Sequence, residues 1–176
     1  MKTKKTVFIT GSEGFIGSHL TEYLIKKGYK VKALVLYNSF NNIGNLKFLE
    51  KKLISKCQIL FGDIRDYNLM KEYSKNADYV IHLAALIGIP YSYSAIESYI
   101  DVNIKGTQNL LRASLENKVS SFIHTSTSEV YGTAQYAPID EKHPLVGQSP
   151  YSATKIAADN LVVSFNRSFN QKNLIL

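Results

Sequence analysis

Cysteine is almost absent: Cys57 is the only one in 176 residues. A single thiol can neither close an internal disulfide nor build a cysteine-based zinc site, which excludes a disulfide-stapled secreted domain. Histidine is scarce too, with four residues and no His-x-x-x-His or Cys/His spacing, so no metal site is expected. No apolar run approaches the roughly 20 residues a membrane helix needs. The basic start Met1-Lys2-Thr3-Lys4-Lys5 is like that of a signal peptide, but Gly11, Ser12 and Glu13 cut the next apolar run too short for a signal sequence. Repeats, low-complexity stretches and flexible linkers are also lacking. The expectation is a soluble, cytoplasmic chain with no membrane partner. Apolar residues make up 45% and charged residues 20%, a globular composition. The length suits one domain and is short for two.

The net charge of +7 raises the question of nucleic acid. Its distribution argues against that. Residues 1–56 hold 11 Lys against 3 Glu, and the other 120 hold 10 Lys and Arg against 11 Asp and Glu. The excess falls in pairs such as Lys26-Lys27 and Lys51-Lys52, which read as solvated faces. Basic residues interleaved with aromatics do not occur, so no nucleic-acid partner is expected.

Short β-rich runs alternate with helical stretches. Thr6 to Thr10 is a continuous apolar run ending at Gly11, as a buried parallel strand should be. Residues 14–27 place Phe15, Ile16, Leu20, Tyr23 and Leu24 at helical spacing, and Gly28 is a good stop. Further strands are expected at Val31–Leu36, Gln58–Phe61, Tyr79–Leu83 and Ser121–Thr125, and Leu174–Leu176 opens a sixth. Helices are expected near 45–53, 67–74, 95–116 and 151–168. Strand and helix in repeated alternation predict a doubly wound α/β fold, a parallel sheet with helices on both faces. The chain stops inside a strand, so the reading is one nucleotide-binding domain over 1–176, the front half of something longer.

Gly11-Ser12-Glu13-Gly14-Phe15-Ile16-Gly17 lies between the first strand and the first helix. Gly11 permits a tight turn, Gly14 lets a pyrophosphate approach the backbone, and Gly17 allows close helix–strand packing. Phe15 and Ile16 open the helix whose free N–H groups and dipole favour phosphate. Within a strand–helix–strand unit, the pattern predicts dinucleotide binding. The second strand ends Val35-Leu36-Tyr37-Asn38-Ser39, with neither the acid of an NAD site nor an Arg for a 2′-phosphate. Asn38 is the candidate ribose contact, and NAD is preferred with NADP left open. Asp63 and Ile64, after strand three, are placed to flank the adenine, although Asp63 also suits a helix N-cap region. Leu83, Ala84 and Ala85 end strand four, where small residues allow the cofactor to cross.

Tyr151 and Lys155 are four residues apart, so on a helix they share a face. A nearby ammonium stabilises phenolate and makes tyrosine usable as a base near neutral pH. Pro150 suits a helix start. Thr125-Ser126-Thr127-Ser128-Glu129-Val130-Tyr131-Gly132 comes after strand five at the carboxyl edge of the sheet, where such folds bind ligands. Thr127 can hydrogen-bond a sugar oxygen, and Glu129 can remove a carbon-bound proton. Turn chemistry alone would also favour such a Ser/Thr cluster. His82 and His124 fall in strands expected to be buried and read as core residues. His143 is placed in a loop. Tyr91 and Tyr93 come after Pro90 in a loop near the same edge, with substrate contact and ordinary packing both open.

These motifs coexist with GDIRD, HLAA and the segment Asn103 to Thr107. Over its whole length the sequence resembles the extended short-chain dehydrogenase/reductases, the sugar-nucleotide epimerases and dehydratases. The stretches Leu36–Asn41, Ala85–Tyr93 and Glu129–Ser149 are similar to N-acetylglucosamine-nucleotide 4,6-dehydratases of legionaminic-acid biosynthesis. The resemblance implies Thr127, Tyr151 and Lys155 as the catalytic Thr/Ser, Tyr and Lys, and Glu129 as the dehydratase base. It also implies that Thr125, Tyr151 and Lys155 border the cofactor, with Ser128 and Tyr91 on the substrate side. Some 4,6-dehydratases carry Asp where this chain has Ser128. Thr-Ser-Glu is also found in GDP-mannose dehydratases and UDP-glucuronate decarboxylases. The implied substrate is a UDP- or GDP-sugar of the N-acetylglucosamine type, and the implied assembly is a homodimer. The alternatives are a UDP-glucuronate decarboxylase, a 4-epimerase, or a non-catalytic NAD(P)-binding fragment, since the family's small C-terminal substrate domain is not within these residues.

Overall fold

The computed structural model describes residues 4–176. Met1 to Thr3 of the basic start lie outside the described residues. One sheet of six parallel strands runs in the order β3-β2-β1-β4-β5-β6. β1 (Thr6–Thr10) and β4 (Tyr79–His82) are neighbours at its centre. The chain moves outward from β1 to β2 (Lys30–Leu36) and β3 (Cys57–Gly62). It then crosses back to β4 and proceeds through β5 (Ser121–His124) to β6 (Asn173–Ile175). That reversal makes a switch point at the carboxyl ends of β1 and β4, the crevice in which such sheets take ligands.

α1 (Phe15–Lys26) joins β1 to β2. A 3-10 turn at Gly44–Phe48 and the single turn α2 (Lys51–Ile54) lead to β3. The continuous helix expected at 45–53 is thus broken in two, because Leu49 is extended at ψ 148°. α3 (Tyr67–Tyr73) precedes β4. After β4 comes α4 (Ile89–Ser92), a four-residue turn at Pro90 too short to leave a period in the sequence. Tyr91 therefore sits in a helical turn and not in the expected loop. α5 (Ile96–Tyr99), a π-helical stretch (Ile100–Lys105) and α6 (Gly106–Glu116) together form the expected long helix. The wide turn holds Asn103, and such turns recur at functional sites. α7 (Pro150–Phe169) returns the chain to β6.

The sheet is buried on both sides, which is why its central strands read as unbroken apolar runs. Phe8, Val80 and Phe122 face Met70, Leu110, Leu111 and Val162 from α3, α6 and α7. Val7, Ile9, Val31, Ala33 and Val35 face Leu24 and Ile25 of α1, with Leu46. Each fully buried side chain of this kind contributes about 1.5–3 kcal/mol. Among the described residues no helix is long and apolar enough to cross a membrane. No group of three or more His, Cys, Asp and Glu among them could hold a metal ion.

Candidate active site

The glycine loop is a close-packed turn. Gly14 N–H donates to the Gly11 carbonyl at 3.2 Å, and Ser12 N–H ties the turn to Leu34 O at 3.2 Å. Gly11 has φ +69°, and a β-carbon there would lie 2.8 Å from Ala84 N. The turn therefore leans on the end of β4, joining the loop to Leu83, Ala84 and Ala85 at the switch point. A β-carbon on Gly17 would sit 2.1 Å from Gly11 O, so only glycine lets α1 rest on the turn. Gly14 differs. Its backbone is ordinary, at φ −71°, and a β-carbon would meet only Gly11 O at 3.4 Å. The protein leaves that side open, and Gly14, Phe15 and Ile16 are exposed around it. α1 has no side-chain cap and no acid in its first turn, so its leading N–H groups are free for an anion. A pyrophosphate fits this cradle.

Toward the adenosine side, Leu36 N–H at the end of β2 donates to Glu13 Oε1 at 2.8 Å. The Asn38 amide is occupied within its own loop. It donates to Leu36 O and Asn42 O and accepts from Asn42 N–H. Asp63 is bound to Arg65 at 2.6 Å, which holds its carboxyl below the usual range. The N-cap of α3 is Asp66, accepting from Leu69 N–H at 3.0 Å, and not the earlier Asp63. Ile64 is buried, packed where Gly106 lacks a side chain.

The start of α7 is set by a capping box. Ser149 and Ser152 exchange side-chain to backbone bonds, and Pro150 occupies the first turn. Tyr151, Lys155 and Asp159 stand at intervals of four along one face, all three buried. Lys155 Nζ donates to the Thr125 carbonyl at 2.7 Å and lies 3.3 Å from His124 Nε2. That same Nε2 is 3.3 Å from Asp159 Oδ1. Asp159 Oδ2 accepts from the Ser126 hydroxyl at 2.5 Å. Burial pulls the Lys155 amine down to about 8, opposed by the Asp159 charge. Burial also lowers His124, against its contact with Asp159.

Beyond β5, Thr127 caps a 3-10 turn at Ser128–Tyr131, its hydroxyl accepting from Glu129 N–H at 3.3 Å. Ser128 and Glu129 are exposed beside it. The Tyr151 ring meets the edge of buried Tyr99, with centroids 6.3 Å apart, and Tyr99 donates to Gly88 O at 2.6 Å. Tyr91, 57% exposed, stacks at a tilt on Tyr99 from outside. Asn103 latches the loop after β4 to α7, bonding both backbone groups of Leu86 and the Thr154 hydroxyl.

His82 is a fully bonded core residue, with Thr10 on one ring nitrogen at 2.8 Å and Thr107 on the other at 3.0 Å. His124 is in the core as well, yet it also touches Lys155. His143 is in its expected loop and buried there, accepting from Gln135 N–H. Sequence reasoning missed Glu13, Asn103, His124 and Asp159 as members of these sites. The spacing of four beyond Lys155 was the available signal for Asp159.

Comparison with known proteins supplies the family. The family model described as GDP-mannose 4,6 dehydratase matches residues 8–175. Low-salt glycan biosynthesis protein Agl12 of Haloferax volcanii is 34% identical over 96% of this chain and 54% of its own length. dTDP-D-glucose 4,6-dehydratase of Dictyostelium discoideum is 36% identical, over 93% of this chain and 41% of its own. Among solved structures, UDP-N-acetylglucosamine 4-epimerase from Methanobrevibacter ruminantium superposes with a TM-score of 0.88 at 31% identity, covering 98% of this chain and 54% of that one. DesIV, a dTDP-glucose 4,6-dehydratase from Streptomyces venezuelae solved with NAD, gives 0.86 at 29% identity, covering 97% and 54%. The chain thus spans about half the length of these relatives. On a match that runs through the glycine loop, the end of β5 and the start of α7, the chain belongs to the GDP-mannose 4,6-dehydratase family of short-chain dehydrogenase/reductase epimerases and dehydratases.

Proposed function

We propose that this chain carries the cofactor and the reacting groups of a nucleotide-sugar 4,6-dehydratase that uses NAD. The observation that carries the reading is the meeting of three elements at one sheet edge. The glycine cradle closes on Ala84, and Lys155 reaches from α7 to Thr125 at the end of β5. A bound NAD would supply the hydride acceptor for oxidation at the sugar C4 and the hydride donor for reduction at C6. Gly11, Gly14, Phe15, Ile16 and Gly17 would hold its pyrophosphate. Leu83, Ala84, Ala85 and Thr125 would border the rest, and Asn38, Asp63 and Ile64 the adenosine.

The chain's own groups handle the protons. Tyr151, as phenolate beside the Lys155 ammonium, takes the proton from the sugar O4. Thr127 steadies that oxygen. A ketone at C4 acidifies the C5 proton, and exposed Glu129 removes it. The C6 hydroxyl leaves as water on the side of Ser128, taking the proton that Glu129 removed. A solvent proton relayed by Glu129 returns to C5 as hydride reaches C6, and Tyr151 passes the O4 proton to solvent. Glu129 favours a dehydratase over a 4-epimerase, because epimerisation at C4 needs no base at C5. Tyr91 is proposed as a substrate contact. A homodimer and a cytoplasmic location belong to the same proposal.

Candidate UDP- and GDP-sugars incubated with the protein and NAD should yield a product lighter by one water. Loss of carbon dioxide would mean a decarboxylase, and unchanged mass an epimerase. Tyr151→Phe should abolish the first oxidation. Glu129→Gln should allow C5 exchange with deuterated water at least about tenfold more slowly, with oxidation retained. Undiminished turnover in Tyr151→Phe would overturn the assignment.

A further inference from the structure

Resting on the dinucleotide reading above, we propose that Glu13, from within the glycine loop, is the acid that receives the adenosine ribose hydroxyls and selects NAD over NADP. NAD-binding sheets of this type usually carry an acid at the end of the second strand. Here no Asp or Glu occurs between Tyr23 and Leu49. The vacant role is matched by a carboxylate at the same place. Glu13 Oε1 accepts from Leu36 N–H, the last residue of β2, at 2.8 Å. Its other oxygen, Oε2, is buried and has no hydrogen-bond partner. The Glu13 side chain as a whole is only partly buried, and Oε1 keeps a second lone pair suited to a ribose hydroxyl at the end of β2, where Leu36 and Tyr37 are exposed.

The surroundings hold Glu13 in position. Asn45 N–H donates to the Glu13 carbonyl at 2.8 Å. Gly44, at φ +55°, comes so close that a β-carbon there would lie 2.6 Å from Glu13 O and 2.8 Å from Glu13 Cβ. Asn38 folds the intervening loop by bonding Leu36 and Asn42. A 2′-phosphate would meet this carboxylate as a like charge. The first arginine in the chain is Arg65, and it is already paired with Asp63.

Glu13→Gln tests the assignment, because the amide keeps an oxygen for Leu36 N–H while the charge is lost and the second acceptor becomes a donor. Calorimetric titration of the wild-type protein with NAD and NADP should show NAD bound at least about tenfold more tightly. In Glu13→Gln that ratio should fall about tenfold, with the melting temperature of the unliganded protein retained. A ligand-side measurement is independent of the variant's folding: wild-type protein should bind 2′-deoxy-NAD about tenfold more weakly than NAD. Equal binding of NAD and 2′-deoxy-NAD, or an unchanged ratio in Glu13→Gln, overturns the role of Glu13 and leaves the dinucleotide reading standing. Binding of neither NAD nor NADP by the wild-type protein overturns both.

Discussion

Gly14 and Gly17 are three residues apart in one loop, and the same substitution should act on them in opposite ways. Alanine at 17 would put its β-carbon 2.1 Å from Gly11 O and 2.8 Å from Ser12 Cα. Both are backbone atoms, and no side-chain rotation relieves the clash. The start of α1 must move off the turn by about an ångström. Overpacking of this kind costs about 1–3 kcal/mol. At roughly 2–4 °C per kcal/mol for a domain of this size, the melting temperature should fall by about 2–12 °C. Alanine at 14 meets only Gly11 O at 3.4 Å, from an ordinary backbone conformation. Narrowing the unfolded ensemble stabilises by about 0.4–1 kcal/mol, and alanine is a poorer N-cap than glycine by a similar amount. The two nearly cancel, and Gly14→Ala should melt within about 2 °C of wild type. It should nonetheless lose NAD affinity by about tenfold or more, since its methyl group stands where the pyrophosphate approaches. Thermal melts without ligand, paired with NAD titrations, separate the two effects. Wild-type melting of Gly17→Ala, or wild-type NAD binding by Gly14→Ala, would refute the reasoning.

Lys155 and Cys57 give two further expectations. Burial holds the Lys155 amine at about 8 against 10.5, so between those values the unfolded chain keeps a proton that the folded chain has released. Wild-type stability should therefore rise with pH across that window relative to Lys155→Met, by at most ~3 kcal/mol. Urea melts of both proteins from pH 7.5 to 10.5 check this, and a difference independent of pH would refute it. Burial pushes the Cys57 thiol up to about 11 from 9.0, and its S–H lies 3.6 Å from Val31 O. At pH 8 a disulfide reagent should modify the native protein about a hundredfold more slowly than the urea-unfolded one. Equal rates would show the thiol to be freely exposed.

Much of the fold was legible in the sequence, because its signals are local. Thr6 to Thr10 is apolar throughout since β1 is covered on both faces, and Gly28 stops α1 with φ +88°. Pro150 announced the start of α7. The misses are local as well. Leu49 breaks the stretch expected to be one helix, and α4, at four residues, is barely one helical turn. Of the candidate site, Tyr151 and Lys155 stand on a shared helix face, with Asp159 below them. Asn38, proposed for the ribose, spends its amide on its own loop, and an isolated Asn gives no sign of that choice.

Sequence alone determined the alternation of strand and helix, the glycine turn, and the helix that presents Tyr151 and Lys155. Each depends on residues within a few positions of one another, where backbone geometry leaves few choices. Only the tertiary structure decided which distant groups meet. Glu13 reaches Leu36 across 23 positions, and Lys155 reaches His124 across 31. Those meetings arise from strand order and from the reversal between β1 and β4, which bring remote carboxyl ends to one edge. A hydrogen bond depends on a separation near 3 Å in space, and the spacing of residues along the chain does not encode that distance.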